Sequence, residues 1–176
     1  MTNKIIFVIR HGPTDEDENI KINKFIDYAP KIASYIKKYL DDLKINFKNA
    51  NILISSSPID RAFNTGKIIL SYLNILFKSN LELQENKNLL RWDSKNETRD
   101  EMKLRAFEYG KRVNKKINKI DKDLVYIFFT HSSILNSFIN GILSDKEKEV
   151  KIGHLVNTSV NVIYNGKLEV ENKKIR

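Results

Sequence analysis

The stretch Phe7-Val8-Ile9-Arg10-His11-Gly12-Pro13-Thr14 changes character in one step, from apolar residues to an arginine, a histidine and a glycine-proline pair. Its first half completes a continuous apolar strand, Lys4–Ile9, bounded at once by turn-forming residues. Cationic side chains set where a buried strand ends are the first sign of a site rather than of a core.

Outward from this stretch, strand and helix patterns alternate. Tyr28–Leu43 has helical spacing of apolar residues, and Asn51–Ser55 is a short strand. Pro58–Phe77 reads as a long helix with Pro58 at its first position and Ser57 as cap. Leu81–Gln84 suggests a short strand, Thr98–Ile120 an amphipathic helix, Leu124–Phe129 a buried strand and Ile134–Leu143 a further helix. Ser159–Tyr164 and Leu168–Val170 flank Asn165-Gly166, the dipeptide favoured in type I′ hairpin turns. No repeat or linker divides the chain, so a single domain spanning residues 1–176 is expected. The alternation predicts a three-layer α/β/α sandwich around a mainly parallel sheet, with an antiparallel strand added at the C-terminal end.

Three polar clusters share one place in this pattern. Each follows a strand directly: Arg10-His11-Gly12-Pro13-Thr14, then Ser55-Ser56-Ser57-Pro58-Ile59-Asp60-Arg61, then Thr130-His131-Ser132-Ser133. The C-terminal ends of parallel strands lie on one edge of the sheet, where open α/β folds bind ligands. Two arginines and two histidines therefore converge on one crevice, and helices beginning near Pro58 and Ser133 aim free N–H groups at it. Arginine pairs match phosphate oxygens. The residues predict an oxyanion site suited to phosphate.

These blocks resemble those of the histidine phosphatase superfamily, the phosphoglycerate mutase-like proteins. FVIRHGPT (Phe7–Thr14) is similar to the nucleophile signature, SSSPIDRAFNT (Ser55–Thr65) to the second block and THSSIL (Thr130–Leu135) to the third. VNTSVNVIYNGKLEV (Val156–Val170) looks like the closing strand segment. The resemblance implies a phosphomonoester hydrolase in which His11 attacks phosphorus and carries the phosphoryl group. Arg10, Arg61 and His131 hold its oxygens, with Gly12, Thr14 and Ser132 contributing to substrate binding. It implies neither metal nor other cofactor, since the cationic side chains neutralise the charge.

The family also supplies a carboxylic acid that protonates the leaving oxygen. Around Leu89-Leu90-Arg91-Trp92-Asp93 the nearest carboxylate is Asp93, which is favoured over Glu85 and Glu97. Trp92 could exclude water beside Asp93 and raise its pKa, or pack against the sheet. Asp17 stands where the family carries an asparagine, and an acid there opposes a dianionic substrate; Asp15–Glu18 reads as a solvated acidic loop. His154 is read as structural or exposed.

Composition bounds the alternatives. The chain has 176 residues, no cysteine and a formal charge of +9. Disulfides and thiolate zinc sites are thereby excluded. The lysines are scattered, with no interleaved basic and aromatic patch for nucleic acid. No apolar run reaches membrane-spanning length and no secretory signal is recognisable, so a cytoplasmic location without membrane association is expected. The partner is a small phosphorylated substrate or a phosphoprotein. Sugar phosphates, phosphoamino acids, nucleotides and phosphohistidine proteins stay open, as does the oligomeric state. A phosphoglycerate mutase-type phosphotransferase and a non-catalytic phosphate-binding module are the alternatives; the compact stretch between Arg61 and His131 favours hydrolysis.

Overall fold

A computed structural model describes residues 2–15, 20–144, 150–153 and 156–175. Its strands are β1 (Lys4–Arg10), β2 (Asn51–Ser56), β3 (Gln84–Glu85), β4 (Leu124–Thr130), β5 (Ser159–Tyr164) and β6 (Lys167–Lys174). The helices are α1 (Ile22–Phe25), α2 (Ala29–Asp42), α3 (Asp60–Phe77), α4 (Arg99–Ile117) and α5 (Ser132–Ile142). A 3-10 turn covers Lys87–Leu89.

The strands form one sheet in the order β3-β2-β4-β1-β5-β6. β1, β2, β3 and β4 run parallel, β5 runs antiparallel to β1, and β6 antiparallel to β5. The antiparallel member is thus β5, because β6 turns back into the direction of β1. Their turn has Asn165 and Gly166 at φ 47° and 73°, the left-handed geometry of the expected hairpin.

Alternation along β1 builds the three layers. Ile5, Phe7 and Ile9 enter one core with Ile32, Ile36 and Leu40 of α2 and Ile69 and Leu73 of α3. Ile6 and Val8 enter the other with Met102 and Ala106 of α4 and Phe138 and Ile139 of α5. Both faces are covered, which is why β1 and β4 read as unbroken apolar runs. α4 and α5 approach until a Cβ on Gly110 would lie 2.3 Å from the Phe138 carbonyl oxygen, and one on Gly141 2.1 Å from that of Phe107.

Two expectations need correction. Pro58 precedes α3 rather than opening it: Ile59 is the extended cap residue, at ψ 130°, and carries no side-chain capping bond. Ser57 is still joined to the sheet, through its N–H to the Phe129 carbonyl at 3.0 Å, so the chain turns its corner at Pro58-Ile59 before it coils. Leu81–Gln84 is not a strand, since only Gln84 and Glu85 pair with β2. Asn74 holds the backbone N–H and carbonyl of Leu81 with its own amide, at 2.8 and 3.1 Å, in place of a ladder.

Candidate active site

The register of the sheet brings the three polar clusters level. Arg10 is opposite Thr130, and Ser56 is opposite Phe129. Beyond these pairs the His11 N–H donates to the Thr130 carbonyl at 3.0 Å, so the strand ends remain tied where the chain leaves the sheet. His131 follows β4 as the cap residue of α5, and Arg61 is the second residue of α3. Neither helix has a side-chain capping bond; in their first turns the N–H groups of Ala62 and Ile134 donate to the carbonyls of Ile59 and His131, at 2.9 and 3.3 Å.

His11, Arg61 and His131 are 7%, 6% and 2% exposed. The Nδ1–H of His11 donates to the Gly12 carbonyl at 2.8 Å; a carbonyl only accepts, so when the ring is neutral its lone pair is on Nε2. The rings of His11 and His131 have centroids 5.2 Å apart. Arg61 donates from Nε to Nδ1 of His131 at 3.4 Å, which places the His131 proton on Nε2, 2.9 Å from the Ser57 hydroxyl oxygen. Burial, then the charges of His11, Arg61, Arg91 and Arg10, push His131 down to about 2. His131 is therefore a neutral donor, not a cation. Burial and then Arg61 also lower the Arg10 guanidinium from its ordinary value. Cations brought this close oppose each other, and an anion between them would relieve the repulsion.

Gly12 joins the site to α3, its N–H donating at 2.9 Å to the Thr65 hydroxyl, which itself donates to the Arg61 carbonyl at 2.6 Å. A side chain at Gly12 would meet Phe25 at 2.8 Å and Ile20 at 3.0 Å. Close packing beneath the loop is thus a reason for glycine here. Thr14 pairs by a backbone bridge with Ile20, and Ser132 is the half-buried first residue of α5.

The carboxylates stand elsewhere. Asp93 is exposed and accepts from the Lys95 N–H at 3.0 Å and from the Asn96 amide at 2.5 Å. These bonds hold its carboxyl below the usual range, the opposite of what a proton donor needs. Trp92 does not desolvate it; the indole donates to the Glu97 carbonyl at 3.0 Å and lies under the Arg99 guanidinium. Glu97 is clamped by Arg105, at 3.1 and 2.5 Å, and Glu85 is an exposed residue of β3. Asp17, Glu16, Glu18 and His154 lie outside the described residues. Ser57 and Thr65 were missed as site residues, although Thr65 follows Arg61 by four positions and so shares its helix face. Arg91 was not among the residues read from the sequence, and its charge contributes to the lowered pKa of His131. Among the described residues no group of three or more His, Cys, Asp and Glu side chains could hold a metal ion, and no helix is long and apolar enough to cross a membrane.

Neither a protein-family model nor a curated protein sequence matches the chain. Its three-dimensional structure, however, is similar to solved structures along nearly its whole length. One described as mycobacterial hydrolase 2 is 14% identical with a TM-score of 0.67, covering 100% of this chain and 93% of the other. A phosphoglycerate mutase from Bacillus anthracis is 17% identical with a TM-score of 0.65, covering 97% and 92%. A phosphoserine phosphatase mutant from Entamoeba histolytica, in complex with phosphoserine, is 17% identical with a TM-score of 0.58, covering 98% and 97%. The chain has the phosphoglycerate mutase-like α/β fold.

Proposed function

We propose that the chain is a phosphohydrolase that passes a phosphoryl group through a covalent phosphohistidine on His11. The observation that carries this reading is the orientation of His11: its Nδ1–H is spent on the Gly12 carbonyl, leaving Nε2 as the nucleophilic atom in the cluster of Arg61 and His131. Phosphoryl transfer asks little of a protein beyond positioning and charge stabilisation, and the buried Arg61 with the half-buried Arg10 supplies both. The shared fold supports it: among the similar structures are the phosphoserine phosphatase and a mycobacterial glucosyl-3-phosphoglycerate phosphatase in complex with VO3.

In the first step Nε2 of His11 attacks phosphorus, the bond to the leaving oxygen breaks, and Arg10, Arg61 and the Nε2–H of His131, exchanging the Ser57 hydroxyl for the substrate, hold the three phosphoryl oxygens. In the second, water attacks the phosphohistidine and departs as phosphate with its protons, restoring the neutral ring. The cationic side chains do the neutralising, so the reaction as written calls for no metal ion. Phosphate release from a panel of phosphorylated compounds tests the reading. Activity that survives EDTA and is blocked by vanadate is expected, with an acid-labile adduct on the peptide containing His11. Vanadate binding without any turnover would leave a phosphate-binding module instead.

A further inference from the structure

The wall beside this cluster carries a cation where a proton donor was expected. Arg91 is half-buried and lines a cleft of about 1100 Å³ with Ile59, which caps α3, and with Lys87, Leu90, Asp93 and Lys95. His11, Arg61 and His131 do not themselves line it. The segment bearing Arg91 is nevertheless fastened to the site, because the Thr130 hydroxyl, one residue before His131, donates to the Leu89 carbonyl at 3.1 Å. From the outer side Arg105 grips the same segment through the carbonyls of Asn88 and Leu90, at 2.8 and 3.1 Å, while Asn86 bonds the Tyr109 hydroxyl at 2.6 Å. The cleft lining holds four cations and two carboxylates. Arg105 pairs with Glu97, and Asp93 accepts from its own loop while also feeling the charge of Arg91, so the cations of the lining outnumber its carboxylates by two. The charge of Arg91 also contributes, after burial, His11 and Arg61, to the lowered pKa of His131.

Resting on the phosphohydrolase reading, we propose that Arg91 binds the negative charge of the leaving group, and that the substrates are phosphoryl compounds whose leaving group departs as a stable anion: a carboxylate, an aryl oxide or a phosphate. When His11 Nε2 takes the phosphoryl group, the electron pair of the broken P–O bond stays on the departing oxygen. A carboxylic acid would meet that charge with a proton; a guanidinium, which does not give up its proton near neutral pH, meets it with charge and hydrogen bonds. This suffices for leaving groups of low pKa and fails for alkoxides. Arg91 is thus a specificity-determining residue.

The test compares acetyl phosphate, p-nitrophenyl phosphate, phenyl phosphate and glycerol phosphate as substrates of wild type, Arg91→Gln and Arg91→Lys, each checked for folding by thermal melting. Rates should fall steeply from the first two to glycerol phosphate. Arg91→Gln should lower kcat on acetyl and p-nitrophenyl phosphate by about tenfold or more, with partial recovery in Arg91→Lys. Glycerol phosphate turned over within about twofold of p-nitrophenyl phosphate, or no effect of Arg91→Gln, overturns the proposal. Binding separates it from the parent reading. In His11→Ala, pyrophosphate should bind more tightly than inorganic phosphate, and adding Arg91→Gln should remove the preference. Loss of that preference with no compound hydrolysed by wild type would sink the phosphohydrolase and keep the anion subsite. A preference that persists in the double variant overturns the role of Arg91 whatever the activity.

Discussion

His11, Arg61 and His131 hang from the ends of adjacent parallel strands and the helices that follow them, whereas Arg91, Asp93 and Glu97 belong to an irregular connection laid over the sheet edge. The first group is buried and held by the ladder; the second is half-buried or exposed and held by side chains reaching from α4. A ladder sets positions by backbone geometry that hardly depends on which residues occupy it. A connection takes its shape from the particular side chains that happen to grip it. Chemistry that needs sub-ångström placement is better served by the first, and selectivity among substrates by the second.

The largest expected effect is at the nucleophile. His11→Ala should lower phosphate release by about 10³-fold or more, because the covalent step is lost altogether. Wild-type rates in that variant would dissolve the distinction between the buried cluster and the connection beside it. Next comes Arg61→Ala, expected to cost about 10²-fold in kcat/KM, or ~3 kcal/mol of transition-state stabilisation. Neutralising Lys37 or Lys38, which pair with Asp41 and Asp42 on the exposed side of α2, should leave the rate unchanged. Equal losses from both sets would show that general charge, not the cluster, holds the phosphate.

Thr65→Val sharpens the comparison by loosening the buried cluster without touching a charge. The Gly12 N–H would lose its acceptor in a buried place, so chemical denaturation should register a loss of about 1–3 kcal/mol, with a rise in KM. The pH dependence probes the same region. His131 has a folded pKa well below its unfolded value near 6.5, so its contribution to stability is fully present above ~6.5 and is lost as pH falls towards the folded value of about 2. Denaturation midpoints should decline from pH 7 to pH 4, and His131→Asn should flatten part of that decline. An unchanged slope in the variant would mean that His131 is not held neutral. Within the wall the effect is small: Asp93→Asn should alter turnover by less than about twofold on any leaving group, since its carboxylate serves its own loop. A selective loss on glycerol phosphate would restore Asp93 as the acid.

The regular part of the fold was legible in the sequence for physical reasons. Apolar runs such as Lys4–Ile9 and Leu124–Phe129 have few ways to be buried, and polar residues following them must emerge at the strand ends. Arg10, His11, Arg61 and His131 could be placed together on that basis before any coordinate was known. Boundaries were less secure where side chains compete for the backbone: Pro58 reads as a helix start, but Ser57 is kept by the sheet and delays the coil. Leu81–Gln84 has strand composition, yet the Asn74 amide occupies the backbone of Leu81.

By itself, then, the order of residues determined the alternation of strands and helices, the two-sided burial of the sheet and the gathering of two arginines and two histidines at one edge. All of these follow from local periodicity and from the direction parallel strands must share. Only the tertiary structure decided that Thr65 bridges Gly12 to Arg61, that Arg61 donates to Nδ1 of His131 and so leaves its proton on Nε2, and that Arg91 and Asp93 share one cleft beside the cluster. Those outcomes depend on partners distant along the chain, Gly12 with Thr65, Arg61 with His131 and Leu89 with Thr130, which meet only once both layers of helices have packed against the sheet.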